Sequence, residues 1–315
     1  MEIKNIALMG AGAVGAYFIY CLNDKLGDEF VVVASGARKE KFVSEGITIN
    51  GKVYKLNVKT PDEIAAGSKT TNINPVDVLI IATKYDGLKQ SMEDIKKIIG
   101  PTTIILPVLN GIDSEEVLAA EIGEERIVNS FMRIVSHRGD DGIVFDPGVT
   151  PGVFFGEKDG TDTDRLAALR DFFDKYDTHY VCSDNIISDQ WNKFALNIAN
   201  NLIQAVFGVG YGAYFDSEHV HFLQEKITQE VTDVAKAYGV TIEGLPTPRE
   251  VTHDAARFST LQDLDAHRHT EIDMFLGVLV EKAAAKGLEV PYAEYTYHAI
   301  KTREEINDGK LIYKK

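Results

Sequence analysis

This sequence predicts an α/β fold, with an N-terminal doubly wound parallel sheet followed by an all-helical C-terminal domain. Three observations carry that expectation. A short apolar run, Lys4–Met9, leads straight into Gly10-Ala11-Gly12-Ala13-Val14-Gly15. Apolar strands then alternate with helical stretches as far as residue 182, as βαβ units do. From Ser183 onward every long segment has helical periodicity. The boundary is therefore placed near Ser183, giving domains of residues 1–182 and 183–315.

Lys4–Met9 reads as a buried parallel strand, because it is almost continuously apolar and ends at turn glycines. The G-x-G-x-x-G at Gly10–Gly15 comes next, and Ala16–Leu22 continues as a helix. Strand, glycine loop and helix in this order are the context of the Rossmann-like dinucleotide fingerprint. Gly10 makes the tight turn, Gly12 lets the main chain approach a pyrophosphate, and Gly15 lets helix and strand pack closely. The helix N-terminus supplies N–H groups and a positive dipole end, so Gly10, Ala11, Gly12, Ala13, Val14 and Gly15 are the cofactor-binding candidates.

The second strand, Phe30–Ala34, ends in Ser35-Gly36-Ala37-Arg38-Lys39. An NAD-binding strand commonly ends near an acid that binds the ribose 2′-hydroxyl. Here basic residues follow instead, which favours the 2′-phosphate of NADP, with Ser35 hydrogen-bonding it and Arg38 pairing with it. The alternative is that Arg38 and Lys39 are ordinary solvated charges at a helix start. Ile47–Val58 alternates around Asn50-Gly51, a hairpin signal. Val76–Ala82 is another buried strand and ends at Thr83-Lys84-Tyr85, where Lys84 is placed to meet an anionic group of cofactor or substrate, the alternative being a solvated loop lysine. A helix over Leu88–Ile99 and a strand over Thr103–Leu106 lead to Pro107–Gly111, where Asn110 is either a turn former or a ligand contact. Ser114–Ile122 is a helix with an acidic first turn. Ile127–Val135, Ile143–Phe145 and Val153–Phe155 read as strands extending the sheet. Asp164–Tyr176 is an amphipathic helix and His179–Val181 a last short strand. Beyond the boundary, Glu218–Tyr238, His267–Lys286 and Ala293–Ile306 carry helical patterns.

Composition narrows the class of function. The chain has 315 residues, 44% of them apolar and 26% charged, with a formal net charge of −15. Nucleic acid and anionic membrane both demand a basic footprint, so neither is expected as a partner. No apolar run reaches the length of a membrane span. Cys21 and Cys182 are far apart, and the eight histidines lack ligand spacing beside a cysteine. The expectation is a reduced, cytoplasmic protein with both thiols as core filler and no metal site.

The catalytic candidates lie in Ser188–Gln204. This stretch is mostly apolar, yet Lys193, Asn197, Asn200, Asn201 and Gln204 recur at i, i+4, i+7, i+8 and i+11. On a helix that spacing makes one polar stripe, and burying an ammonium and several amides without partners is unfavourable by a few kcal/mol each, on the order of magnitude of other unpaired polar groups. The stripe either faces ordinary solvent or lines a cleft at the start of the second domain, and the cleft is the expectation; for Asn200 and Gln204, water or a neighbouring helix stays the alternative. A second polar cluster runs from Phe258 to Asp273 and includes Ser259 and Glu271.

With these motifs in order, the chain resembles the ketopantoate reductase (2-dehydropantoate 2-reductase) family. The likeness rests on G-A-G-A-V-G at Gly10–Gly15, T-K at Thr83-Lys84, N-G at Asn110-Gly111, W-x-K-x-x-x-N-x-x-x-N at Trp191–Asn201 and S-x-L-Q-D-x-x-x-x-R-x-T-E-I-D at Ser259–Asp273. The resemblance implies an NADPH-dependent oxidoreductase that reduces a 2-oxo acid, 2-dehydropantoate to (R)-pantoate on the route to pantothenate and coenzyme A. It implies Lys193 as general acid and Asn197 and Asn201 as substrate-orienting amides. It further implies Ser259 on the substrate carboxylate and Glu271 on a substrate hydroxyl. Asn110 would lie near nicotinamide and substrate, and Lys84 would contact both. A small-molecule 2-oxo acid is the implied partner, and a homodimer is compatible with it. Three positions depart from the family pattern: Ser35 replaces a frequent arginine, Leu109 a glutamine and Leu276 an asparagine. The alternatives are a related dehydrogenase acting on another 2-oxo or hydroxy acid, and a non-catalytic NADP-binding regulator, which would have no use for the lysine–asparagine stripe.

Overall fold

The computed structural model describes residues 2–69, 76–139, 141–245, 247–249 and 253–311. The chain divides into two compact units, Met1–Ile186 and Ile187–Lys315.

The first unit is built on β1 (Ile6–Met9), α1 (Ala13–Leu26), β2 (Phe30–Val33), α2 (Gly36–Glu45), β3 (Ile47–Ile49), β4 (Lys52–Tyr54), β5 (Val58–Lys59), α3 (Pro61–Lys69) and β6 (Val78–Ile81). It continues with α4 (Tyr85–Gln90), α5 (Met92–Ile98), β7 (Ile104–Pro107), α6 (Ser114–Ile122), β8 (Asn129–Arg133), β9 (Ser136–Gly139), β10 (Gly142–Phe145), β11 (Gly152–Gly156), α7 (Asp164–Lys175) and β12 (Tyr180–Cys182). A five-stranded parallel sheet has the order β5-β2-β1-β6-β7. Strands β1, β2, β6 and β7 are buried on both faces, which is why their sequences are continuously apolar. Alternation sorts the side chains. Ile6, Leu8, Val32, Ile80 and Leu106 pack into one core with α1, whereas Ala7, Met9, Val31, Leu79 and Ile105 pack into another with α3, α5 and α6. This is the doubly wound arrangement expected, and the strand order reverses at β1.

One local expectation holds and two are corrected. The Asn50-Gly51 hairpin forms, with φ of 48° and 75° at the turn, and pairs β3 with β4. However, β3 then joins β10 in a separate sheet of order β4-β3-β10-β9, and β8, β11 and β12 make a third sheet. Hence the later strands do not extend the parallel sheet, apart from one bridge between Ile105 and Ile127. Antiparallel pairing of β11 with β8, reinforced by stacked Phe131 and Phe154 rings at 4.8 Å, satisfies their main chains elsewhere. The helix expected over Leu88–Ile99 is two helices, α4 and α5, broken at Ser91, whose hydroxyl donates to the Gly87 carbonyl.

The second unit opens with α8 (Ile186–Asn197), which runs through a π-helical segment, Ile198–Leu202, into α9 (Ile203–Phe207). Then come α10 (Ala213–Asp216), α11 (Glu218–Ala237), α12 (Ser259–Asp265), a second π segment at Asp273–Gly277, α13 (Val278–Ala285) and α14 (Pro291–Asn307). The long helix expected from His267 starts only at Ile272. Main-chain φ at His267 is +51°, which ends α12, and the Thr270 hydroxyl accepts from the Ile272 N–H at 3.3 Å. Among the described residues no helix is long and apolar enough to cross a membrane. Cys21 is buried, which pushes its thiol up to about 11, and Cys182 accepts from Arg170 at 3.4 Å.

Candidate active site

In the first unit, four parallel strands end level. Met9 pairs with Val33 and with Ile81, and Ile81 pairs with Pro107. Gly10, Ser35, Thr83 and Asn110 therefore follow neighbouring strand ends along one sheet edge, where open α/β sheets bind their ligands. Gly10 has φ of +99°, and a Cβ there would lie 2.5 Å from the Ala82 carbonyl oxygen. A Cβ on Gly15 would lie 2.0 Å from the Gly10 oxygen, so glycine at 15 is what lets α1 pack this closely on the end of β1. Gly12 differs: a Cβ there meets no protein atom within 4 Å. It opens to empty space, and α1 begins at Ala13 with no side-chain cap. Ala11 completes that loop, and Ala13 and Val14 open α1. Its free amides and the dipole of a 14-residue helix form an anion cradle with room for a phosphate. The residues present thus fit a dinucleotide.

The second strand end sorts the basic residues. Lys39 is held by Glu63 at 2.6 Å, and that carboxylate also accepts from the Thr60 N–H in a capping box at α3. Arg38 is exposed and has no partner among the described residues, and Ser35 makes no side-chain cap to α2. Lys84 is exposed at the N-cap position of α4. Asn110 precedes Gly111, whose φ of +114° makes the turn.

In the second unit the expected stripe separates into two groups. Asn200 and Gln204 are buried inside the unit. Asn200 donates to the Thr247 hydroxyl at 2.7 Å and accepts from Tyr211 at 3.2 Å. Gln204 donates to the Asn200 carbonyl at 2.9 Å, and its own amide oxygen accepts from the Phe258 N–H at 3.2 Å. Tyr214, whose hydroxyl burial keeps neutral, donates to the Asn200 carbonyl and accepts from the Gln204 N–H. Gln224 donates to the Ala199 carbonyl at 3.2 Å. The π segment makes this possible: its wider turn leaves carbonyls of Ala199 and Asn200 available to side chains. The Gln204 bond also pins Phe258, the N-cap of α12, immediately before Ser259.

Lys193 and Asn197 form the other group, half-buried one α-turn apart on α8, with Asn201 following in the π segment at 6% exposure. The amides of Asn197 and Asn201 and the exposed Ser259 hydroxyl have no hydrogen-bond partner among the described residues. Glu271 is half-buried at the bend before the second π segment, and its carbonyl accepts from the Phe275 N–H at 3.1 Å. Phe275 meets Phe194, the neighbour of Lys193, with ring centroids 6.0 Å apart. The two polar motifs thus sit on elements packed together.

Two family descriptions match the chain: Ketopantoate reductase PanE/ApbA over residues 6–159, and its C-terminal counterpart over residues 185–304. The chain belongs to the ketopantoate reductase family. The oxidoreductase YkpB of Bacillus subtilis, itself uncharacterized, is 28% identical over 296 residues, covering 92% of this chain and 95% of that protein. The 2-dehydropantoate 2-reductase of Streptococcus pyogenes serotype M6 is 25% identical over 311 residues, covering 96% and 98%. Among solved structures, D-mandelate dehydrogenase with NADH and anilino(oxo)acetate shares the fold, with a TM-score of 0.78 at 22% identity over 96% of this chain and 99% of that one.

Within this ketopantoate reductase fold, two residues passed over as sites by the sequence reading stand out. The Thr83 hydroxyl, just past the end of β6, is buried without a hydrogen-bond partner among the described residues. Tyr85 donates to Asp113, tying α4 to the start of α6 beside the Asn110 turn. The T-K pair carried the first as part of a motif; nothing in the sequence pairs Tyr85 with Asp113. Leu109, one of the departures from the family pattern, packs into a core of the sheet, and Leu276 is fully buried.

Proposed function

We propose that this protein reduces a 2-oxo acid with NADPH, and that 2-dehydropantoate, giving (R)-pantoate, is its substrate. The observation that carries this reading is the set Lys193, Asn197 and Asn201: an ammonium and two amides along one helical run, the two amides without hydrogen-bond partners among the described residues. A rigid element holds such groups to the tolerance that catalysis demands. When bound, the nicotinamide supplies a hydride to the carbonyl carbon of the substrate. Negative charge then develops on the carbonyl oxygen. The Lys193 ammonium stabilises it and donates the proton that completes the alcohol. Asn197 and Asn201 orient the oxo acid by hydrogen bonding. The Ser259 hydroxyl donates to its carboxylate and Glu271 accepts from its hydroxyl. Gly10–Gly15 hold the pyrophosphate, Lys84 and Asn110 lie toward cofactor and substrate, and Arg38 with Ser35 takes the 2′-phosphate.

The test follows NADPH and NADH oxidation over a panel of 2-oxo acids that includes 2-dehydropantoate and an aryl 2-oxo acid. The expected result is the highest kcat/KM with 2-dehydropantoate and NADPH. Preference for the aryl acid would move the chain toward the activity for which D-mandelate dehydrogenase is named. Turnover of none of them would sink the reductase reading.

Cofactor choice has its own test. A charge-assisted hydrogen bond contributes about 1.5–3 kcal/mol. Arg38→Ala is therefore expected to raise KM for NADPH by about 10–100-fold while leaving KM for NADH unchanged. Equal effects on both cofactors would remove Arg38 from the 2′-phosphate site.

A further inference from the structure

The segment Thr270–Asp273 carries Glu271, yet α14 holds it from behind. Glu304 on α14 is a carboxylate with 3% exposure. Its Oε1 accepts from the Thr270 N–H at 2.7 Å and from the Thr270 hydroxyl at 2.6 Å. Its Oε2 faces the Lys301 ammonium at 3.3 Å and the His269 ring at 3.6 Å. On the other side of Glu271, Asp273 accepts from the Tyr297 hydroxyl at 2.6 Å and from Lys301 at 3.1 Å. Tyr297, Lys301 and Glu304 are spaced i, i+4 and i+7, so one face of α14 grips both flanks of Glu271.

A buried carboxylate is costly unless it is compensated; here Oε1 takes both donors of the residue before Glu271, while Oε2 has no hydrogen bond among the described residues and faces the Lys301 ammonium. Thr270 passes the constraint on, because its hydroxyl also accepts from the Ile272 N–H, closing a tight bend around Glu271. The bend is then locked by the Glu271 carbonyl in the helix behind it. Hydrogen bonds thus hold Thr270, Asp273 and the Glu271 carbonyl itself.

We infer that Glu304 is a positioning residue for Glu271, acting through Thr270, with Lys301 and Tyr297 holding the opposite flank through Asp273. The inference rests on the reading of Glu271 as the acceptor for the substrate hydroxyl. A small displacement of such a group is enough to weaken the productive complex.

The experiment compares Glu304→Ala, Glu304→Gln, Glu271→Ala and the Glu271→Ala/Glu304→Ala double variant, measuring kcat, both KM values and melting temperature. Glu304→Ala is expected to raise KM for the 2-oxo acid about tenfold with KM for NADPH unchanged. Glu304→Gln recovers most of that loss, because its amide oxygen still accepts from the Thr270 N–H. In the Glu271→Ala background, Glu304→Ala adds nothing further. The same fold loss in both backgrounds, or a parallel rise in KM for NADPH, overturns the positioning role and makes Glu304 a general stabiliser. A Glu271→Ala enzyme with unaltered kinetics overturns the reading of Glu271 itself and the positioning role with it. Where Glu304→Ala does not fold, Thr270→Val removes only the hydroxyl arm. Its effect on KM must then vanish in the Glu271→Ala background, and persistence there overturns the inference.

Discussion

Lys193→Ala lowers kcat for 2-oxo acid reduction by about 10²–10⁴-fold, the range general acid catalysis typically contributes. Binding changes much less, because the ammonium matters most once negative charge has formed on the carbonyl oxygen, and an interaction made only in the transition state appears in kcat. Cofactor affinity stays at its wild-type value, since the glycine loop belongs to the other unit. Folding is also retained. Lys193 is half-buried, while Trp191, Phe194, Ala195 and Ile198 provide the buried side of this helical run. Steady-state kinetics with a melting curve on the same preparation separates these effects. A wild-type kcat in the variant removes Lys193 from the chemistry. Combining Lys193→Ala with Glu271→Ala should cost far less than the product of the single losses if the two act on one bound substrate.

The glycine loop was legible because its constraints are local: strand, turn and helix follow one another within Ile6–Leu26, and Gly10 and Gly15 each have a steric reason to be there. The polar stripe that begins on α8 was legible only in part. A period of 3.6 places Asn200 and Gln204 beside Asn197 and Asn201, but the π segment at Ile198–Leu202 changes the phase within a single turn. What sorts the amides is which of them find partners. The partners of Asn200 and Gln204, namely Tyr211, Tyr214, Thr247 and Phe258, come from distant parts of the unit. Strand pairing fails to show for the same reason: β3 finds β10 across almost a hundred residues, and no local pattern marks a strand for one sheet rather than another. On α14, Tyr297, Lys301 and Glu304 look like an ordinary charged helix face until Thr270 and Asp273 are seen against them.

Gly12→Ala and Gly15→Ala should part company although they lie three residues apart in one motif. At Gly15 an added methyl strikes the Gly10 carbonyl oxygen at 2.0 Å, and a main-chain atom cannot move aside cheaply. Helix α1 must lift from β1, and overpacking of this kind usually costs about 1–3 kcal/mol. A domain of this size loses about 2–4 °C of melting temperature per kcal/mol, so Gly15→Ala melts measurably lower even without ligand. At Gly12 the methyl meets no protein atom, and φ of −83° suits alanine. The apo protein keeps its melting temperature, or gains slightly from the stiffer unfolded chain. The methyl instead occupies the space the pyrophosphate requires. Affinity for NADPH falls by about 5–150-fold, the equivalent of about 1–3 kcal/mol of crowding moved from the protein to the ligand. At saturating NADPH kcat returns toward the wild-type value, because Lys193 is untouched. Titration of NADPH fluorescence alongside melting of the apo proteins reads both effects. If Gly12→Ala binds NADPH as the wild type does, the phosphates do not pass over Gly12, and the cofactor site lies elsewhere on the sheet edge.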